Sequence, residues 1–173
     1  MSPTDKSDNI RILIVGLGGI GSQLTELIVP AIFTLNCSEV ELHLMDGDIV
    51  HFDNILHQRF TIEDIDIPKV EVLYERYILQ TTNVVAHNED LTTTSQLEGY
   101  DIIVVAVDRQ EPRNLVHSSE AHWVDLRCQG DGWLLIDSDT NRSILNKIPN
   151  NKQPVGCQLP GAIESGNIEF GFA

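Results

Sequence analysis

Ile10-Arg11-Ile12-Leu13-Ile14-Val15, followed at once by Gly16-Leu17-Gly18-Gly19-Ile20-Gly21, is the stretch on which the fold turns. A short, nearly continuous apolar run reads as a parallel strand buried on both faces. Gly16, Gly18 and Gly21 fit the spacing GxGxxG, with Gly19 as a further glycine. Missing side chains let an anion approach the backbone, and a helix beginning there aims free N–H groups and a positive dipole end at it. Ser22 to Leu35 reads as that helix, with Leu24, Leu27, Ile28, Ala31, Ile32 and Leu35 apolar and Pro30 set to kink it. A strand, a glycine turn and a helix in that order make a phosphate cradle more specific than the glycines alone.

Working outward, Val40 to Met45 reads as a second strand ending at Asp46-Gly47-Asp48. Residues 49–67 are loop-like, and Pro68 opens a helix from Lys69 to Leu79. Asn83 to His87 and Ile102 to Val107 are the third and fourth strands. Pro112 opens a short helix, and Val124 to Leu126 and Trp133 to Ile136 are later strands. This alternation predicts an α/β, Rossmann-like fold: a mostly parallel sheet flanked by helices, with later antiparallel strands. Residues 1–173 are expected to form a single nucleotide-binding domain, with residues 1–9 a flexible arm and residues 141–167 a crossover-like loop.

The net charge is −15, with 26 acidic residues against 11 basic. That argues against nucleic acid or an anionic membrane as partner, and it makes each basic residue informative. No apolar run approaches the roughly 20 residues of a membrane span, and the polar start lacks a signal core, so the chain reads as cytoplasmic. Cys37, Cys128 and Cys157 form no CxxC pair, so no zinc is expected, and an odd count argues against a disulfide framework.

Four groups of residues carry the chemistry. The glycine turn is the first. Asp46, at the end of the second strand, is placed for ribose hydroxyls in a mononucleotide or a dinucleotide alike, with Asp48 on the same side. The third group runs from Asn54 through His57, Gln58 and Arg59 to Lys69. A lysine in a helix's first turn opposes the dipole unless an anion offsets it, which points to phosphate. His57 reads equally as a polar loop residue. Asp108, at the carboxyl end of the fourth strand with Arg109 and Arg113 following, sits where open α/β sheets bind ligands. It reads either as a magnesium ligand or as a helix cap paired with an arginine.

In this order the groups resemble the ThiF/MoeB family, which includes the catalytic domain of ubiquitin-activating enzymes. The resemblance covers about Arg11 to Ile136. It implies that ATP and Mg²⁺ are the cofactors and that Gly16, Gly18, Gly19 and Gly21 cradle the nucleotide. Asp46 would bind the ribose, with Asp48 also among the cofactor-binding residues, and Asn54, Arg59 and Lys69 would hold the phosphates. Asp108 would hold magnesium and act in catalysis with Lys69 and Arg59. The implied reaction is adenylation of a carboxylate, typically the C-terminal glycine of a ubiquitin-like protein or peptide, by a homodimer. His57-Gln58 stands where the family usually has Arg-Gln, with Arg59 following, and Asp108-Arg109 stands where it has Asp-Asn. Some members carry a thioester-forming cysteine in the region of Cys157. A non-catalytic nucleotide- or partner-binding module and an NAD-dependent oxidoreductase are the competing functions. The second leaves Lys69 and Asp108 with Arg113 unexplained.

Overall fold

A computed structural model describes residues 9–79, 83–129, 132–145 and 147–148. The first strand, β1, is Ile10–Val15, and helix α1 is Gly19–Thr34. Strand β2 (Val40–Met45), helix α2 (Lys69–Tyr77), strand β3 (Val84–His87) and strand β4 (Ile102–Val105) follow. The described chain closes with helix α3 (Gln110–His117), strands β5 (His122–Gln129) and β6 (Gly132–Asp137), and a single helical turn, α4 (Arg142–Leu145).

The sheet order is β3-β2-β1-β4-β5-β6. All pairings are parallel except β5 with β6, which is antiparallel. The chain leaves β1 toward β2 and β3, then returns to place β4 on the other side of β1. That reversal opens a crevice at the carboxyl ends of β1 and β4, the ligand position of open α/β sheets.

Alternation along the strands divides the core. Ile14, Leu42, Leu44 and Val84 pack with Val29 and Ile32 of α1 and with Val70, Val72, Leu73 and Tyr77 of α2. Leu13, Val15, Met45, Ile103 and Val105 pack on the opposite face with Leu97, Val116 of α3 and Trp123. The central strands are thus buried on both faces, as their unbroken apolar runs require.

Several element boundaries differ from the sequence reading. Helix α1 starts at Gly19, inside the glycine run, and continues past Pro30 to Thr34. Strand β4 stops at Val105, and the next residues turn toward the glycines, where the Val107 carbonyl accepts from Arg113 Nη2. Strand β5 is longer than the apolar stretch Val124 to Leu126: it pairs with β4 from His122 and with β6 as far as Gln129. The loop 49–67 contains tight turns at Phe52–Asn54 and Ile62–Asp64, each closed by a side-chain capping box. The expected loop from residue 141 begins with the turn α4. Cys157, most of that loop, and nearly all of the arm lie outside the described residues.

Candidate active site

The glycines of the turn serve different ends. Gly16 has φ +90, a left-handed conformation, and a Cβ there would stand 2.8 Å from the Ala106 carbonyl oxygen. A Cβ on Gly21 would stand 1.8 Å from the Gly16 carbonyl oxygen, so only glycine lets α1 cross β1 this closely. Gly18 differs: the nearest atom to its Cβ position is the Gln58 Nε2, at 3.9 Å. Gly16 and Gly21 therefore answer to packing, while Gly18 keeps the approach to the cleft open. No side chain caps α1, whose first bond runs from Ser22 N–H to the Gly18 carbonyl. Among the described residues the Gly16 N–H is taken by the Met45 carbonyl and the Leu17 N–H by Asp46, so the uncapped first-turn N–H groups of α1 are the ones open to a ligand.

The cleft beside this turn has a volume of about 280 Å³. From the glycine side, Gly16, Gly18, Gly19 and Ile20 line it. Asp46 and Asp48 enter from the end of β2, Asn54 and Gln58 from the following loop, and Lys69 from α2. Asp108, Arg109 and Arg113 close the far side, with Cys128 of β5. The strand ends and the long loop thus bring together residues up to 97 positions apart in the order expected from the sequence, from Gly16 to Arg113.

Asp46 is gripped by backbone. Its Oδ2 accepts from Leu17 N–H at 2.5 Å and its Oδ1 from Asp48 N–H at 2.8 Å. Burial pushes its carboxyl above the ordinary range, against the pull of Lys69 and of these two N–H groups. Asp48 takes a different partner: its Oδ2 accepts from Lys69 Nζ at 3.0 Å. Lys69 is 5% exposed and its own backbone N–H donates to the Asp48 carbonyl. The cation that opposes the α2 dipole is therefore already offset by Asp48. Asn54 Oδ1 accepts from His51 N–H at 2.9 Å, which fixes the loop beneath the cleft.

Gln58, which the sequence placed in the loop group without a role of its own, is buried at 5% exposure, and among the described residues its Oε1 has no hydrogen-bond partner. A buried acceptor without a donor is costly unless a ligand or water supplies one. Only its position directly after His57 hinted at this. Arg59 is placed elsewhere. Its Nε lies 2.6 Å from Glu26 Oε2 of α1, and its N–H donates to Ser22 Oγ. Neither Arg59 nor His57 is among the residues lining the cleft. Among the described residues no cluster of three or more His, Cys, Asp or Glu is arranged to hold a metal. Asp108 is exposed at the rim of the cleft.

Arg113 is buried at 6% exposure. Burial and the nearby Arg127 lower its pKa to about 10, opposed by Asp108, so it remains a cation at neutral pH. Asp125, which the sequence reading did not single out, stands behind it at 0% exposure. Its spacing in β5 reads as the outward half of an alternating strand, which hid it.

No helix among the described residues is long and apolar enough to cross a membrane. The ThiF family profile matches residues 2–171. The Escherichia coli sulfur carrier protein ThiS adenylyltransferase is 39% identical over 67 residues, covering 38% of this chain and 24% of that protein. The Arabidopsis thaliana NEDD8-activating enzyme E1 catalytic subunit is 28% identical over 118 residues, covering 65% of this chain and 25% of that protein. The chain thus spans about a quarter of the length of these relatives. The E. coli MccB structure with MccA-N7isoASN superposes at a TM-score of 0.62 and 21% identity, over 76% of this chain and 40% of that one. E. coli tRNA N6-threonylcarbamoyladenosine dehydratase, TcdA, superposes at 0.60 and 20% identity, over 74% and 56%. With the profile spanning nearly the whole sequence, the chain belongs to the ThiF family.

Proposed function

We propose that the chain is an ATP-dependent adenylating domain that activates a carboxylate, the C-terminal glycine of a ubiquitin-like protein or peptide, and releases pyrophosphate. The observation that carries this reading is the single cleft at which Gly18, Asp46, Asn54, Gln58, Lys69, Asp108 and Arg113 meet. A dinucleotide oxidoreductase would need the glycines and Asp46, but it has no use for a buried lysine and an Asp–Arg pair in the same cleft.

The residues present fit a nucleoside triphosphate. The open Cβ position of Gly18 admits a ligand against the backbone, and the orphaned Gln58 Oε1 awaits a donor. Asp46 would take the ribose hydroxyls. The first-turn N–H groups of α1, with Asn54, Lys69 and Arg113, would hold the phosphates. Asp108 would carry Mg²⁺, which supplies charge stabilisation at the phosphoryl oxygens. Attack by a carboxylate on an α-phosphate brings two anions together. The chain's part is therefore positioning and cationic surroundings, with no protein nucleophile required.

The relatives include a sulfur carrier protein adenylyltransferase and a NEDD8-activating enzyme catalytic subunit, which supports a small protein as the partner. We infer that the chain acts in the cytoplasm as a homodimer, for which Trp133 at 79% exposure and Leu135 at 51% on β6 supply apolar surface. The test is ATP–pyrophosphate exchange with a glycine-ended small protein: exchange should appear in the wild type and vanish in Asp108→Ala. ATP binding with no exchange for any such partner would favour a non-catalytic module, a reading supported by Arg59 facing Glu26 instead of the cleft.

A further inference from the structure

Asp125 is enclosed by bases. Its Oδ1 accepts from Arg113 Nη1. Its Oδ2 accepts from Arg127 Nη2 at 2.7 Å and Nε at 3.1 Å, and from His117 Nε2 at 2.9 Å. A fully buried carboxylate is tolerated only when it is paired and hydrogen-bonded in this way. Arg113 reaches it from α3 and is anchored twice more: Nη2 donates to the Val107 carbonyl, and Nη1 also reaches the Leu126 carbonyl at 3.4 Å. A guanidinium carries five N–H groups in a rigid fork. Among the described residues, these anchors leave Nε–H and one Nη2 hydrogen without an acceptor.

Two guanidiniums, those of Arg113 and Arg127, face one carboxylate. His117 adds no positive charge at neutral pH, because burial and the two arginines lower its pKa to about 4. Its ring is stacked on Trp123, with centroids 4.3 Å apart, which holds the imidazole in place. Arg113 stands at the wall of the cleft, where the second carboxylate that acts on it, Asp108, is exposed.

We propose that Asp125 is a positioning residue: it holds the Arg113 guanidinium at the cleft wall so that the unused N–H groups bind a phosphate oxygen of the nucleotide. This rests on the nucleotide reading of the cleft. Asp125 does not touch the ligand; it acts through Arg113, while Arg127 and His117 seat Asp125. The ligand class recognised is a nucleoside phosphate, in its anionic part only.

Calorimetric titration with ATP and with adenosine tests this in the wild type, Asp125→Asn, Arg113→Gln and the double variant. A residue acting through another shows no further effect once that other is removed. Asp125→Asn should weaken ATP about tenfold and Arg113→Gln by at least that, as for a lost charged hydrogen bond, with adenosine within about twofold. The double variant should match Arg113→Gln alone. Additive losses, a parallel loss of adenosine, or unchanged ATP affinity in Arg113→Gln would overturn the proposal. Should Asp125→Asn fail to fold, the charge-balanced pair Asp125→Asn with Arg127→Gln is measured against the same expectations. A wild type that binds neither ATP nor adenosine rejects the nucleotide reading itself. A wild type that binds both, with variants unaffected, rejects only the role of Asp125.

Discussion

Lys69 Nζ stands 3.0 Å from Asp48 Oδ2, and the two differ sharply in setting: the lysine side chain is 6% exposed, the carboxylate 64%. The cation is thus held inside the cleft by a partner that water reaches. On the proposed nucleotide reading, a ligand phosphate would take over the lysine while Asp48 swings to solvent at little cost.

Lys69→Met should therefore separate binding from folding. The substitution keeps the volume and removes a buried charge, so stability should change by about 1 kcal/mol or less. ATP affinity should fall by about tenfold or more while adenosine is unaffected, as for a lost charge-assisted hydrogen bond. Denaturant unfolding and calorimetry on the same preparation read both quantities. Equal weakening of both ligands would remove Lys69 from the phosphate site.

The glycines predict opposite phenotypes. Gly21→Ala places a methyl group 1.8 Å from the Gly16 carbonyl oxygen, and backbone on both sides cannot give way. It should lose about 3 kcal/mol or more, or fail to fold. Gly18→Ala meets its nearest atom, the Gln58 side-chain nitrogen, only at 3.9 Å. It should cost about 1 kcal/mol or less in stability yet weaken ATP binding. A Gly18→Ala protein with wild-type ATP affinity would show that the phosphates do not approach this backbone.

Arg59 tests the departure from the sequence reading. Its Nε lies 2.6 Å from Glu26, and its carbonyl accepts from Arg76 Nη1 at 2.6 Å. Arg59→Ala should leave ATP affinity within about twofold and cost about 0.5–1 kcal/mol of stability, the usual value of a half-exposed pair. A loss of ATP binding as large as that of Lys69→Met would mean that Arg59 turns into the cleft when ligand arrives.

Stability should fall in mild acid. The His117 pKa is lowered to about 4, so between that value and the ordinary 6.5 the unfolded chain binds the extra proton and the folded one does not. Its contribution is complete above pH 6.5 and is lost as pH falls toward about 4, by roughly 3 kcal/mol at most. His43 shifts in the same direction through burial, opposed by Glu41 and reinforced by His87 and Arg11, with the Tyr100 hydroxyl also against its ring. Urea unfolding midpoints across this range should drop. In His117→Phe, which keeps the stack on Trp123, the drop should be smaller.

Much of the fold was legible because it depends on local periodicity. The apolar runs at β1 and β4, the amphipathic spacing of α2 and Pro68 before it each state their element within a few residues. The ends of β4 and β5 were less so. Val107 leaves the sheet for a bond to Arg113, and β5 is carried beyond its apolar stretch by backbone pairing with β4 and β6, which no side-chain pattern marks.

By itself, then, the sequence determined the strand–glycine–helix unit, the parallel sheet built on it, and the fact that Asp46, Lys69 and Asp108 fall at strand and helix ends. These follow from side-chain period and from the conformations that glycine and proline permit. Only the tertiary structure decided which charged groups enter the cleft: Lys69 inward on Asp48, Arg59 outward on Glu26, Arg113 held from behind by Asp125. The direction of a long basic side chain is set by whichever carboxylate stands within about 4 Å of its tip, where Coulomb attraction is strong. Those carboxylates come from elements that only folding brings together.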